Sequence, residues 1–412
     1  MKILLTVLLL ELSGVVFSQD RKFEFAGKDA RTSVSEYDVY SKEKGFGFEP
    51  GADVKCVERT CTSDKPFYFS AAVPEGNYRV TIRFGDRGSS TSTVVKAELR
   101  RLMLERVDTK PDEFVTRDFI VNVRTPTIAT GGEVKLKDRE RTSEQWAWDG
   151  KLTLEFNGAR PSISSLKIAK VTVPTAFLLG DSTVCDQPGE PYASWGQMIT
   201  RFFGDKVAIA NHAESGESLK SSLGARRLDK VLSLIHAGDY LLIQYAHNDE
   251  KEKGEGVGAF TTYKASLKEF VEAAKKKGSI PILITPMHRR TFDADGKITN
   301  SHGDYPEAVR QAAKEEKVAL IDLTDMSKDI YEALGKDGSS ILFKEGDGTH
   351  HNNYGAYQLA KAIVQSIRDQ HLSLAQFLIN DLPKYDPKHP DQYHSFAIPP
   401  SPAVTNMKPL GN

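Results

Sequence analysis

The sequence predicts an α/β fold, a doubly wound parallel sheet with helices on both faces, preceded by an all-β region. Between Arg21 and Val173, short period-two segments alternate with glycine-rich turns, a pattern typical of a β-sandwich or jelly roll. From Thr175 onward, near-continuous apolar segments alternate with amphipathic ones. This second pattern indicates parallel strands that helices cover on both faces.

The strands of the all-β region are predicted from alternating segments such as PFYFSAAV, NYRVTIRFG, RDFIVNV and KLTLEFNG. No helix-period stretch interrupts them. Trp146 and Trp148 are two residues apart, so we expect them on one face of a strand. There they would either stack on sugar rings or, as large aromatic residues usually do, contribute to the core.

The strands of the α/β region are predicted at AFLL, KVAIAN, YLLIQY, IPILIT and VALIDL. Helices are predicted at WGQMITRFF, FTTYKASLKEFVEAAKKKG, YPEAVRQAAKEEK and NNYGAYQLAKAIVQSIRDQ. This number of strands and helices suits a flavodoxin-like doubly wound domain, an analogy that concerns architecture and not function.

The predicted organisation has four parts. Residues 1–18 form a signal peptide, 19–172 an all-β accessory domain, 173–381 the α/β domain, and 382–412 an irregular C-terminal tail. The first residues combine Lys2 with an apolar run that ends in small residues at Ser18, which is the signal-peptide pattern. The alternative of a membrane anchor is disfavoured because Glu11 interrupts a run already short of the ~20 residues needed to span. We therefore expect a secreted protein, periplasmic or extracellular, with no membrane span in its mature form.

The charge of the chain narrows the choice of partners. The net charge is -1 and no block of Lys or Arg stands out, so nucleic acid is not an expected partner.

Secretion permits a disulfide, and Cys56 and Cys61 are close enough in sequence to close a small loop. Cys185 is left over, and its expected role is that of a small, half-buried hydrophobic residue.

Polar clusters follow the predicted strands or precede the last helix. They are GDST from Gly180, NHAESGESLKS from Asn211, AHNDE from Ala246 and GDGTHHNNYGA from Gly346. The carboxyl ends of parallel strands meet at one edge of a sheet, where sites form. Taken one at a time, each cluster also fits an ordinary turn or helix start. Their joint occurrence, in this order, is far more specific.

The residue types in these clusters are those that acyl transfer needs. A serine, Ser182, becomes nucleophilic when an imidazole takes its proton, and that imidazole needs a carboxylate to orient it. Asp347 and His350 lie three residues apart and could supply both groups. The N–H groups of Ser182 and Gly216 and the side-chain amide of Asn248 could stabilise an oxyanion. A metal site made from Asp347, His350 and His351 is the alternative, but no further ligand cluster with recognisable spacing accompanies it.

These motifs resemble the GDSL-type hydrolases of the SGNH superfamily, and more narrowly the rhamnogalacturonan acetylesterases and related bacterial carbohydrate esterases. The resemblance covers roughly Thr175 to His371 and rests on FLLGDSTVCD, NHAESGES, QYAHNDE and DGTHHNNYGA. It implies Ser182 as nucleophile, Gly216 and Asn248 in the oxyanion hole, Asp347 as the orienting acid and His350 as the general base. The all-β region is similar, more loosely, to the galactose-binding-like jelly rolls that accompany such esterases.

Two positions depart from the family pattern. Ala246 precedes the His-Asn-Asp run where the family usually has glycine, which would crowd the loop, and Glu217 follows Gly216 where the related acetylesterases often carry arginine. Two neighbouring residues could be confused with the catalytic ones. The Asp-x-x-His spacing selects His350 over His351 as the base. Asp181, next to Ser182, is expected to hold the serine turn.

The expected function is that of a secreted carbohydrate esterase that removes O-acetyl groups from a plant polysaccharide, with pectic rhamnogalacturonan as the first choice. It would act through an acetyl-serine intermediate and need no cofactor or metal. Two alternatives stay open. The same residues could act on another acyl ester, such as acetyl-xylan, acetylated peptidoglycan, a lipid or a thioester. The chain could also be a glycan-binding protein with an inactive hydrolase domain.

Overall fold

A computed structural model describes residues 20–27, 29, 32–403, 405 and 408–410. The predicted signal peptide of residues 1–18 lies outside the described residues. Within the described part of the chain, no helix combines the length and apolar character needed to cross a membrane.

The first part of the chain is built from β-strands. In chain order they are β1 (Asp20–Phe25), β2 (Ser33–Val34), β3 (Phe46–Phe48), β4 (Lys55–Val57), β5 (Thr60–Thr62), β6 (Phe67–Ala72), β7 (Gly76–Phe84), β8 (Thr91–Ala97), β9 (Arg101–Thr109), β10 (Val115–Val123), β11 (Lys151–Arg160), β12 (Ser162–Ile163) and β13 (Ser165–Val171). They form sheets of order β10-β7-β13-β1-β2, β3-β6-β11-β8-β9 and β12-β5-β4. The predicted all-β character is therefore confirmed.

A common apolar core lies between the two five-stranded sheets, because the alternate apolar residues of both sheets point inward. Phe25 of β1 and Phe69 of β6 meet across it with ring centroids 5.3 Å apart. Cys56 and Cys61 form a disulfide between β4 and β5, whereas Cys185 is buried and free. The narrower assignment to a galactose-binding-like jelly roll stays a prediction.

The prediction of Trp146 and Trp148 on one face of a strand was wrong. Short 3-10 turns occupy Asp138–Arg141 and Gln145–Ala147 in the connection between β10 and β11. The Trp148 N–H group turns back to this connection and donates to Glu140, 3.1 Å away. A turn rather than a strand forms because backbone bonds three residues apart close it, from Ala147 to Glu144 and from Trp148 to Gln145.

The second part of the chain contains a parallel sheet whose strands all match predicted segments. They are β14 (Thr175–Gly180), β15 (Ala208–Asn211), β16 (Tyr240–Gln244), β17 (Ile280–Ile284) and β18 (Ala319–Ile321). Every pairing is parallel, in the order β15-β14-β16-β17-β18. The order reverses next to β14, so the chain winds to one side and then to the other, and each face carries its own apolar core.

The helices are α1 (Trp195–Met198), α2 (Leu219–Gly224), α3 (Arg227–Leu234), α4 (Lys264–Lys276), α5 (Tyr305–Glu316), α6 (Leu323–Gly338) and α7 (Asn353–Asp369). The sequence predicted α1, α4, α5 and α7 but not α2, α3 and α6. Helix α7 begins just after the GDGTHH cluster, because the Asn352 side chain accepts the Gly355 N–H and caps it.

Charged side chains join the two parts. Arg100, just before β9, reaches Glu190 at 2.6 Å, and Arg101, the first residue of β9, reaches Asp186 at 3.0 Å. All four side chains are at least nine-tenths buried. The C-terminal segment adds to this junction, since Lys96 donates to Pro399 O and to the Ser401 hydroxyl.

Candidate active site

Ser182 lies in a tight turn at the carboxyl end of β14. Gly180 is required there, because a Cβ would lie 2.5 Å from the Val184 side chain and 2.6 Å from Gln244 O. The Asp181 carboxylate accepts the N–H and hydroxyl of Thr183, at 2.9 and 2.7 Å, which fixes the turn. The turn therefore holds Ser182 at the end of β14. Asp181 stabilises this turn, as the sequence predicted.

A continuous chain of hydrogen bonds joins Ser182 to His350 and His350 to Asp347. The serine Oγ is 3.0 Å from His350 Nε2, and His350 Nδ1 is 2.9 Å from Asp347 Oδ2. Ser182, His350 and Asp347 are all buried. Because Asp347 can only accept, His350 Nδ1 carries the proton and Nε2 is free to accept from the serine hydroxyl.

Asp347 is held in its ionised form. Burial alone would raise its pKa, but hydrogen bonds from the His350 ring and from the N–H groups of Thr349 and His350 lower the pKa to about 2. His351 differs from its neighbour, because its Nε2 lies 2.7 Å from the Tyr331 hydroxyl. Burial lowers the pKa of His351 to about 3. The ring is therefore neutral at pH 7, and it contacts Tyr331 rather than Ser182.

The loop around Gly216 lies against the serine turn. The Gln187 side chain donates both to Ser182 O and to the Ser215 hydroxyl, at 2.7 and 3.3 Å. Gly216 has φ +77°, a conformation that glycine adopts without strain. Among the described residues, neither the Ser182 N–H nor the Gly216 N–H is engaged by a protein acceptor. Both remain free to bind an oxyanion.

Asn248 is fixed beside this loop. Its side-chain amide donates to Glu217 O at 3.0 Å, and its carbonyl oxygen accepts from Lys251 at 3.4 Å. These bonds orient the NH₂ group and leave it a second hydrogen to donate. The residues predicted from the sequence are therefore brought together on one sheet edge.

A second histidine lies behind the serine turn. His247 Nδ1 is 3.3 Å from Asp181 Oδ2. Burial lowers the pKa of His247 to about 4, although the Asp181 carboxylate opposes the shift. The ring is neutral at pH 7 and packs edge-on against His302. Just before it, Ala246 has φ +146°, so the departure from glycine noted in the sequence does strain this loop.

Three residues at the site were missed because they are remote in sequence. Lys137, between β10 and β11, donates to Ser215 O at 2.6 Å and contacts Glu217 at 3.0 Å. From the C-terminal segment, Lys408 lies 3.8 Å from Asp347 Oδ2, and Leu410 packs directly on Gly216. No sequence signal could have indicated these contacts, because they arise from packing between distant segments.

In the described ranges, no group of three or more His, Cys, Asp or Glu side chains is arranged to hold a metal ion.

The Ser-His-Asp chain at the carboxyl edge of the doubly wound sheet is the arrangement that serine-dependent acyl hydrolases use, and the comparisons with known proteins narrow this to ester hydrolases. A family model described as GDSL-like Lipase/Acylhydrolase family matches residues 178–359. The rhamnogalacturonan acetylesterase RhgT of Bacillus subtilis is 37% identical over 219 residues, which cover 50% of this chain and 94% of that protein. The chain therefore belongs to the GDSL-like lipase/acylhydrolase family.

Other relatives extend the comparison. A rhamnogalacturonan acetylesterase of Emericella nidulans is 25% identical over 215 residues, covering 47% of this chain and 84% of that protein. The uncharacterized esterase YxiM of Bacillus subtilis is 27% identical over 356 residues, covering 82% of this chain and 87% of that protein. The crystal structure of YxiM covers 86% of this chain and 99% of its own, with 24% identity and a TM-score of 0.48.

Proposed function

We propose that this chain is a secreted carbohydrate acetylesterase that removes O-acetyl groups from rhamnogalacturonan. The observation that carries the proposal is the hydrogen-bonded chain from Ser182 through His350 to Asp347. Beside it lie the N–H groups of Ser182 and Gly216, from which no acceptor in the described part of the chain takes a hydrogen bond.

In the acylation half of the reaction, Ser182 Oγ attacks the acetyl carbonyl carbon while its proton passes to His350 Nε2. The negative charge that develops on the carbonyl oxygen is stabilised by the N–H groups of Ser182 and Gly216 and by the Asn248 amide. Asp347 stabilises the positive charge on the imidazolium. When the C–O bond to the sugar breaks, the departing sugar oxygen takes the proton from His350 Nε2, which leaves an acetyl-serine.

In the deacylation half, a water molecule attacks the acetyl-serine carbonyl and gives its proton to His350. The same donors stabilise the second tetrahedral intermediate. Its collapse breaks the bond to Ser182 Oγ, which recovers its proton from His350, and acetate leaves. Neither half needs a metal ion or a cofactor.

Two observations support the choice of substrate and location. Two relatives that align with this chain over most of their own length are named rhamnogalacturonan acetylesterases. The acetylated pectic backbone is therefore the first substrate to test. The Cys56–Cys61 disulfide suits an oxidising compartment, as does the signal-like sequence of residues 1–18.

The test is acetate release from acetylated rhamnogalacturonan, acetylated xylan and O-acetylated peptidoglycan at equal acetyl concentrations. We expect kcat/KM to be highest on rhamnogalacturonan. Preference for xylan or peptidoglycan would contradict the substrate assignment but would leave the proposed hydrolysis by Ser182 intact. Binding of a polysaccharide with no acetate release from any of them would instead support an inactive glycan-binding protein.

A further inference from the structure

The all-β region contacts the oxyanion loop, Glu214–Glu217, through the turn that begins at Lys137. The turn provides Lys137, Arg139 and Glu140. Arg139 pairs with Glu214 at 2.7 Å, and Glu140 binds Arg227 of α3 through two bonds of 2.7 and 3.0 Å. The turn therefore contacts the oxyanion loop at Glu214 and the start of α3 at Arg227.

Lys137 makes the contact nearest to the candidate oxyanion donor. Its ammonium donates to Ser215 O, the carbonyl of the very peptide unit whose N–H belongs to Gly216. The same ammonium pairs with the Glu217 carboxylate. An N–H donor and the carbonyl of its own peptide unit are coplanar and point in opposite directions. A bond that fixes Ser215 O therefore fixes the direction of the Gly216 N–H.

The positive charge of Lys137, like its position, makes the Gly216 N–H a better donor to the oxyanion. A cation bound to a peptide oxygen polarises the unit and strengthens its N–H as a donor. Glu217 is nearly fully buried, and its other charged partner, Arg227, is 3.4 Å away. Without Lys137, the Glu217 charge would be less well compensated beside an oxyanion that carries the same sign.

We infer that Lys137 is a positioning residue for the ester hydrolysis proposed above, and that through it the all-β region takes part in catalysis. The ammonium orients and polarises the Ser215–Gly216 peptide unit so that its N–H points at the oxyanion. The inference rests on the proposed function, and it places a determinant of the rate outside the residues 178–359 that match the family.

The test compares Lys137→Met with the wild type on 4-nitrophenyl acetate, a substrate with no polysaccharide to bind. We expect kcat to fall roughly tenfold, less than the ~10²–10³-fold that removal of an oxyanion donor costs, with little change in KM. Lys137→Arg keeps a cation and donors and should recover most of kcat. Lys137→Gln keeps a donor without the charge and should be intermediate.

A second readout does not depend on turnover. Diethyl 4-nitrophenyl phosphate phosphorylates an activated serine, and its phosphoryl oxygen occupies the oxyanion site, so the inactivation rate should fall in parallel with kcat. The matched control is Lys135→Met, which removes the same charge from an exposed side chain two residues earlier. It should keep the wild-type kcat. Melting temperatures identify any variant whose loss reflects unfolding.

The outcomes separate the two proposals. An active wild type together with Lys137→Met of unchanged kcat and inactivation rate overturns the role of Lys137 alone. Equal losses in Lys137→Met and Lys135→Met overturn it as well, because a general charge effect then explains both. A wild type that neither hydrolyses the ester nor reacts with the phosphate overturns the proposed function, and the inference with it.

Discussion

At the scale of single residues, Ala246 has a backbone conformation that suits glycine. Its φ of +146° lies where a Cβ is strained, at a cost of about 1–3 kcal/mol. We predict that Ala246→Gly raises the free energy of unfolding by about 1 kcal/mol, since the released strain exceeds the entropy that a glycine adds to the unfolded chain. Urea denaturation measures the change.

The control for this substitution is Ala308→Gly, inside helix α5. There the backbone is helical, and the same change should lower stability by about 1 kcal/mol. A loss of stability in Ala246→Gly equal to that of the control would show that the conformation at residue 246 is not strained.

The adjacent histidines provide a second test at this scale. His350 contacts Ser182, whereas His351 contacts Tyr331. His350→Gln should lower kcat by roughly 10⁴–10⁶-fold, as loss of a general base does. His351→Gln should lower the melting temperature and leave most of kcat, measured on 4-nitrophenyl acetate. The reverse order of effects would assign the base to His351.

Sequence reasoning found the serine, histidine and aspartate because each lies in a short loop next to a strand or helix that can be predicted. Lys137, Lys408 and Leu410 could not be found, because nothing close to them in the sequence concerns the site. They reach it only through packing between segments remote in sequence.

At the scale of elements, the turn after β10 and helix α3 are joined by the buried pair Glu140–Arg227. Both side chains are 1% exposed. Arg227→Met would leave Glu140 and Glu217 buried without this partner and should destabilise the fold by about 3–5 kcal/mol in urea unfolding. Arg226→Met removes a neighbouring arginine whose pair with Asp229 is solvent-exposed, and it should cost at most about 1 kcal/mol. Equal small effects would contradict a structural role for the buried pair.

The parallel strands could be predicted because burial on both faces makes them short, uniformly apolar segments. Helix α6 was missed because its sequence, LTDMSKDIYEALGKDG, contains an interior glycine, Gly335, and many polar residues. The turn around Trp146 was missed because a period of two between tryptophans does not distinguish a strand from a 3-10 turn followed by a strand.

At the scale of the whole molecule, buried carboxyl groups make stability depend on pH. Burial raises the pKa of Glu98 to about 8, although Arg101 opposes the shift. Between its ordinary value of 4.5 and pH 8, the folded state holds a proton that the unfolded state has lost. The contribution of Glu98 to stability therefore falls as pH rises through this range.

Glu98→Gln mimics the protonated acid and removes this dependence. We predict that the free energy of unfolding of the variant, minus that of the wild type, increases from pH 5 to pH 8 by at most about 1.4 kcal/mol per pH unit. Thermal or urea unfolding at several pH values measures the difference. A difference that is constant with pH would show that Glu98 is ionised in the folded protein.

The arrangement of the two parts could not be predicted from the sequence. The all-β character and the strands of the parallel sheet follow from local patterns, but the junction depends on pairs such as Arg100–Glu190 and Arg101–Asp186. Nothing in the neighbourhood of either partner identifies the other, because opposite charges are common along the whole chain. The contacts of Lys137 with Ser215 O and Glu217 could likewise be identified only from the folded structure.

A single comparison of variants decides whether Ser182 attacks the acetyl ester. Acetate release from acetylated rhamnogalacturonan is followed for the wild type, Ser182→Ala and the control Ser233→Ala, whose serine lies in helix α3. The wild type and Ser233→Ala should release acetate at similar rates, and Ser182→Ala should release it at least about 10⁴-fold more slowly. Release of acetate by Ser182→Ala at the wild-type rate would contradict the account.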